Sequence, residues 1–80
     1  MTRVNVLYFA SLRDRAGLSA ERVETTAPDL RGLYAELQAR HGFAMPVERL
    51  RVAVDGAFAN WDDVMREGSE VAFIPPVSGG

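Results

Sequence analysis

The sequence contains no cysteine and no lysine, and its one histidine is His41. The lack of cysteine excludes disulfides, cysteine-ligated zinc, iron–sulfur clusters and a thiol nucleophile, and is typical of an intracellular protein. The lack of lysine means that no lysine side chain can accept an isopeptide bond, although a biased genomic composition explains the same absence. A single histidine provides neither a metal site nor a catalytic pair, so we expect a structural or solvent-exposed role for His41.

Long apolar segments and an excess of positive charge are also absent. The opening Met1-Thr2-Arg3 leads straight into a strand-like pattern, with no signal-peptide core and no run long enough to span a bilayer. Nine basic and eleven acidic residues give a net charge of -2, whereas binding to a phosphate backbone relies on clustered positive charge. We therefore expect a soluble, cytoplasmic protein with no nucleic-acid partner and no membrane partner.

The remaining composition is that of one small folded domain. The chain has 80 residues, and 48% of them are apolar, which is enough for one hydrophobic core. A chain of this length is too short for a second domain. We expect the folded domain to cover residues 1–76 and residues 77–80 to form a flexible C-terminal tail.

Alternating apolar residues predict five strands, at 3–9, 21–26, 51–54, 57–59 and 70–74. The first is apolar on both faces, as in a central strand, whereas the second is charged, as in an edge strand protected from edge-to-edge pairing. Asp55-Gly56 is the strongest hairpin signal in the chain. Trp61 is expected to pack against the core, and Asp62-Asp63 to form a turn, since adjacent carboxylates point apart and do not make a metal site.

One main helix is predicted between the second and third strands. Pro28 and Asp29 suit its first turn, and His41-Gly42 suits its end. Its apolar residues fall at i, i+3, i+4 and i+7, namely Leu30, Leu33, Tyr34 and Leu37. A short helical turn is expected at 10–16, ended by Gly17, and an irregular or short helical link at 45–50. This order predicts an α+β fold with the helix on one face of a mixed sheet.

The other face of that sheet is expected to be partly apolar. The helix should cover the face that carries Val4, Val6, Tyr8, Val71 and Phe73. Leu7, Phe9 and Ile74 then lie on the opposite face, where each contributes roughly 1.5–3 kcal/mol if a partner buries it. We interpret them as a docking patch, the alternative being that a loop of the chain covers them.

The most informative segment is the last one, Phe73-Ile74-Pro75-Pro76-Val77-Ser78-Gly79-Gly80. Pro75-Pro76 ends the last strand and favours a stiff polyproline II stalk. Residues 77–80 carry the terminal carboxylate up to about 13 Å further. Glycine has no Cβ, so Gly79-Gly80 form a thin stem that fits a narrow channel of another enzyme, the alternative being a frayed terminus.

Three segments together resemble the sulfur-carrier small subunits of molybdopterin synthase (MoaD type), a ubiquitin-like β-grasp family. They are the opening Val6-Leu7-Tyr8-Phe9-Ala10-Ser11-Leu12-Arg13, the closing turn and strand Glu67-Gly68-Ser69-Glu70-Val71-Ala72-Phe73, and the tail from Ile74 to Gly80. The resemblance covers the whole chain and is most specific in the tail. The segments around Val52–Gly56 and Trp61 are not diagnostic of the family.

The resemblance implies a reaction cycle at Gly80. A ubiquitin-activating-type enzyme adenylates its carboxylate with ATP, and a sulfur donor enzyme converts the adenylate to a thiocarboxylate. Val77, Ser78 and Gly79 thread into the large synthase subunit, which forms a heterotetramer with the carrier. Sulfur then passes to cyclic pyranopterin monophosphate in molybdenum cofactor biosynthesis.

The same resemblance implies a carrier that is not catalytic alone and binds no metal and no stable cofactor, only the transient adenylate and thiocarboxylate. Partner contacts are expected at Phe9, Ile74, Pro75 and Pro76. The alternatives are a sulfur carrier for thiamine thiazole or cysteine synthesis, a ubiquitin-like protein modifier, and a passive interaction module with an incidental Gly-Gly.

Overall fold

The computed structural model describes residues 1–76, and the predicted tail, 77–80, lies outside them. The elements in chain order are β1 (Thr2–Tyr8), α1 (Ala10–Ala16), β2 (Ala20–Thr25), α2 (Leu30–His41), a 3-10 turn (Val47–Arg49), β3 (Arg51–Val54), β4 (Ala57–Ala59) and β5 (Glu70–Ile74). No helix in this part of the chain is long and apolar enough to cross a membrane.

The five strands form one mixed sheet in the order β2-β1-β5-β3-β4. β1 and β5 run parallel, from Asn5 opposite Glu70 to Tyr8 opposite Phe73, and the other pairs are antiparallel. The predicted α+β, β-grasp fold is confirmed, with β1 inside the sheet and β2 at its edge. Because β1 and β5 are parallel, the end of β5 lies beside the connection from β1 to α1.

Helix α2 begins at an Asp N-cap. The Asp29 carboxylate accepts a hydrogen bond from the Gly32 amide at 2.8 Å, so the helix starts at Leu30 and Pro28 precedes the cap. The prediction that Pro28 lies in the first turn is therefore wrong. The expected end is confirmed: Gly42 adopts φ 73°, the left-handed conformation that glycine favours, and its amide donates to the Gln38 carbonyl at 2.8 Å.

The core lies between α2 and one face of the sheet. The side chains predicted for this face are at most 1% exposed, namely Val4, Val6, Tyr8, Val71 and Phe73. Trp61 stacks on Phe73 with ring centroids 5.9 Å apart, which confirms its packing role. The two aspartates lie in a turn over residues 60–63, as predicted: the Asp63 amide donates to the Asn60 carbonyl, and the Asp63 carboxylate accepts from the Asn60 amide, both at 3.0 Å. The Asp55-Gly56 turn has positive φ at both residues, 51° and 88°, as a two-residue hairpin needs.

A polar cluster ties the edge strand β2 to the helix. Glu21 turns toward the helix side, where its carboxylate accepts from the Tyr8 hydroxyl at 2.7 Å and lies 2.8 Å from His41 Nε2. Arg40 adds a longer ion pair at 3.4 Å. His41 therefore has the structural role expected of it, and Glu21 is a core-side residue of the charged edge strand.

The electrostatics of this cluster favour an ionised Glu21. Burial of the carboxyl raises its pKa, but the hydrogen bonds from Tyr8 and His41 and the charges of His41 and Arg40 outweigh burial, so the pKa of Glu21 lies below its ordinary value. Burial and the neighbouring carboxylate raise the pKa of Tyr8, so its hydroxyl stays a donor in ordinary buffers.

We expect acid to weaken the fold through Glu21. A carboxyl whose pKa is lower in the folded state stabilises the fold above its unfolded pKa, and this stability is lost as the pH falls through the folded value. Glu21→Gln should lower the free energy of unfolding at neutral pH by about 1–3 kcal/mol and flatten its decline in acid. Denaturant unfolding at neutral and acidic pH measures both effects. Glu24→Gln, outward-facing on the same strand, is the matched control, and equal behaviour of the two variants would contradict the assignment.

Candidate functional site

The end of β5 is where the predicted tail leaves the described part of the chain. Three of the four residues predicted to contact partners are at least partly exposed there: Phe9 is 43% exposed, Ile74 is half-buried and Pro76 is exposed. Pro75 is buried, because it continues the inward alternation of β5 toward the helix side. The other predicted site residues, Val77, Ser78, Gly79 and Gly80, lie outside the described residues.

A sharp turn after β1 sets the position of Phe9. Phe9 is extended, with φ -127° and ψ 152°, so it follows the buried Tyr8 onto the opposite face of the sheet. Ala10 then adopts φ 50°, a left-handed conformation that costs a non-glycine residue roughly 1–2 kcal/mol. Ala10 is also the first residue of α1, whose first hydrogen bonds run from the Leu12 and Arg13 amides to the Phe9 carbonyl. This turn places an aromatic side chain beside the end of β5.

An apolar row crosses the sheet face that points away from α2, which we call the open face. The strand register places one apolar residue of each strand side by side, in the order Ala20, Leu7, Ala72, Ala53 and Phe58. Each is exposed or half-buried, and Phe58 is 70% exposed. Within residues 1–76, therefore, no loop covers the row, and the predicted docking patch extends across all five strands.

Phe58 is the large side chain of this row that the sequence analysis missed, and the other unnamed members are alanines. The signal for it was present, because a two-residue turn at Asp55-Gly56 fixes the register that follows. That register sets Phe58 opposite Ala53, and hence on the open face.

Polar and charged residues flank the apolar row on both sides. On the side away from the tail lie Asn5, Arg22 and Glu70, followed by an ion pair of 3.0 Å between Arg3 and Glu67. On the tail side, Ile74 pairs across the strands with Arg51, whose guanidinium carbon lies 5.8 Å from the centroid of the Phe58 ring. Among the described residues, no group of three or more histidines and carboxylates could hold a metal ion. The arrangement is an exposed apolar row with polar and charged borders, beside the point at which the described residues end.

Comparison with known proteins adds the family. The model of the ThiS family matches residues 6–80. The chain belongs to the ThiS family. Two relatives, both named molybdopterin synthase sulfur carrier subunit, come from Mycobacterium tuberculosis, 36% identical over 83 residues, and Escherichia coli, 34% identical over 80 residues. The first alignment covers all of both chains, and the second 96% of this chain and 99% of the relative. The resemblance found in the sequence is confirmed.

Solved structures from several organisms share this fold. A putative molybdopterin converting factor subunit 1 of Pyrococcus furiosus is 30% identical with a TM-score of 0.79, covering 96% of this chain and all of that one. SAMP1 of Haloferax volcanii is 25% identical with a TM-score of 0.81, covering 98% and 99%. A Helicobacter pylori complex of subunits 1 and 2 of molybdopterin-converting factor, 22% identical with a TM-score of 0.69 and covering 99% and 100%, shares the fold.

Proposed function

We propose that this protein is the sulfur carrier of molybdopterin synthase in molybdenum cofactor biosynthesis. The observation that carries the proposal is the end-to-end similarity to relatives of that name at 34–36% identity, within a family match that runs through Gly80. The apolar row and Phe9 support it, because they supply a partner surface that leads toward the tail.

The chemistry takes place at the Gly80 carboxylate, which is a poor electrophile. A ubiquitin-activating-type enzyme joins the carboxylate to the α-phosphate of ATP and releases pyrophosphate. The outer sulfur of a persulfide on the donor enzyme then attacks the adenylate carbonyl, AMP leaves, and an acyl disulfide joins the carrier to the donor. A thiol reduces this disulfide by two electrons, which releases the carrier thiocarboxylate and leaves a disulfide on the donor side. The thiocarboxylate passes its sulfur to cyclic pyranopterin monophosphate and returns to the carboxylate, and two rounds supply the two dithiolene sulfurs.

The chain itself contributes position rather than acid–base catalysis. Glycines at 79 and 80 give the carboxylate an unbranched stem, so that it can enter the active site of each partner. The large synthase subunit, in a heterotetramer with the carrier, and the adenylating enzyme need the same chain end. They therefore bind the same surface around Phe9 and Ile74 in turn, and they compete with each other. General acids and bases come from these partners.

Pro76 limits the conformations of the chain just before the threaded residues. We expect Pro76→Gly to weaken binding of the large subunit about 2–5-fold, since replacing proline restores roughly 0.4–1 kcal/mol of chain entropy that binding must then remove. Pro75 is unsuitable for this test because it is buried. Isothermal titration measures the affinity, and amide exchange of β5 reports whether the strand frays. Unchanged affinity with β5 still protected would show that Pro76 only terminates the strand.

Reconstitution tests the proposed function. The full-length protein, the adenylating enzyme, ATP, a persulfide donor and a thiol reductant are incubated with the large subunit and cyclic pyranopterin monophosphate, and molybdopterin is measured by fluorescence after oxidation. We expect molybdopterin only when all components are present. No product, together with sulfur transfer to a thiamine or cysteine pathway acceptor, would assign the carrier to that other pathway.

A protein modifier is the second candidate, favoured by the structural similarity to SAMP1 of Haloferax volcanii, which is described as a small archaeal modifier protein. Without lysine, this chain is a donor of its C-terminus and forms no lysine-linked chains with itself. Isopeptide-linked remnants of the tail on lysines of other proteins, found by peptide mass spectrometry in cells, would support this function. The absence of both a thiocarboxylate and such conjugates would leave a passive interaction module.

A further inference from the structure

Arg51 is a cation at the border of the apolar row and the tail. It is exposed and lies directly opposite Ile74 in the strand pairing of β3 and β5. The open face continues beyond the apolar row toward the tail. There, among residues 1–76, Arg51 is the one charged residue that belongs to a strand. The guanidinium lies over the Phe58 ring, 5.8 Å from its centroid, a distance at which a cation is attracted to the ring face.

Within residues 1–76, Arg51 has no carboxylate partner. The ion pairs among residues 1–76 involve Arg3, Arg31, Arg40 and His41, and not Arg51. Arg3, on the same face, is paired with Glu67 at 3.0 Å, whereas the Arg51 guanidinium lies over the aromatic ring of Phe58. Its planar group therefore keeps its hydrogen-bond donors available to a ligand.

Covering the apolar row has a direct consequence for this cation. Arg51 lies over the Phe58 ring and opposite Ile74 in the strand pairing. A partner that buries Ile74 and Phe58 therefore also removes water from Arg51. An unpaired charge removed from water weakens a complex strongly, whereas a bidentate carboxylate compensates for the lost hydration. A tight complex on this face thus requires an acidic group on the partner.

We propose that Arg51 determines partner specificity by pairing with an Asp or Glu side chain of the protein that receives the tail. The inference rests on the proposed function, because it takes the large synthase subunit as that protein. Phe58 orients the guanidinium plane, and Ile74 fixes the pair next to the chain end. The acidic residue of the partner then lies at the entrance through which the tail passes.

Binding of the full-length protein to the cognate large subunit tests the proposal. Dissociation constants are measured at low and high salt for the wild type, Arg51→Gln and Arg51→Glu, with Arg66→Gln as matched control, because Arg66 is exposed beside Val54 and Ala59, away from the open face. We expect Arg51→Gln to weaken binding at least about 30-fold and to reduce its salt dependence. Arg51→Glu should weaken binding further, and Arg66→Gln should stay within about 2-fold. Reversing one acidic residue of the large subunit to arginine should restore binding of Arg51→Glu.

The outcomes separate this inference from the proposed function. If the wild type binds and transfers sulfur while Arg51→Gln binds within about 2-fold of it, the Arg51 inference is wrong and the function stands. If Arg51→Glu binds poorly and no acidic reversal restores it, a carboxylate is not the ligand. Failure of the wild type to bind the large subunit overturns both. Thermal unfolding of each variant verifies that the fold is intact.

Discussion

Deletion of Gly80 is expected to stop molybdopterin formation while leaving the folded domain unchanged. The shortened chain still ends in a glycine carboxylate, so its intrinsic chemistry is the same, but that carboxylate lies about 3.3 Å short of its place. Misplacement of a reacting group by about 1 Å can lower a rate about 100-fold, so we expect a loss of at least that size. Single-turnover sulfur transfer in the reconstituted system measures it.

Two further variants control this deletion. Ser78→Ala keeps the length of the tail and should retain sulfur transfer, whereas one extra glycine after Gly80 should impair it as the deletion does. Thermal unfolding should be the same for all of them, because the core is formed within residues 1–76. Normal transfer by the deletion variant would show that reach does not matter, and a loss of folding would show that the tail is structural.

Substitution at Ile74 is expected to have the second largest effect. Ile74→Gln should weaken binding of both the large subunit and the adenylating enzyme by about 2 kcal/mol or more, roughly 30-fold, because it removes a buried apolar side chain and buries an amide instead. Glutamine is preferred to glutamate here, since Arg51 lies opposite and would pair with a carboxylate. Titration against each partner, and a competition between the two partners, measures the effect.

Val64 provides the matched control for Ile74. It is 71% exposed on the loop after β4, beside Val54 and Ala59 and away from the open face. Val64→Gln should bind both partners normally. If Ile74→Gln binds normally and Trp61→Ala does not, the docking surface is on the other side of the sheet.

Much of the fold follows from local signals in the sequence. The period-2 apolar pattern gives β1 and β5, and the 3.6-residue pattern with Gly42 gives α2 and its end. These signals succeed because each depends on neighbouring residues only. The start of α2 was less well predicted, since a proline suits the first turn and also the position before an Asp cap, and only the hydrogen bond from Gly32 to Asp29 distinguishes the two.

The candidate site was harder to predict, for two physical reasons. The first is strand alternation: Pro75 was predicted to contact a partner as part of the stalk, although the alternation from Phe73 already directs it inward. Glu21 illustrates the second reason: its charge favours an outward position, and the partners that stabilise it inside, Tyr8 and His41, are brought together only by the tertiary fold. The apolar row from Ala20 to Phe58 likewise depends on the order of the strands in the sheet, which local sequence patterns do not determine.

The most direct test of the sulfur-carrier function is the mass of the C-terminal peptide after incubation of the protein with ATP, the adenylating enzyme, a persulfide donor and a thiol reductant. We predict an increase equal to the exchange of one oxygen for sulfur, located at Gly80 by fragmentation and absent when ATP is omitted. Sulfur found at any other position, or an unchanged peptide under conditions in which the adenylating enzyme consumes ATP with this protein, would contradict a sulfur-carrier function.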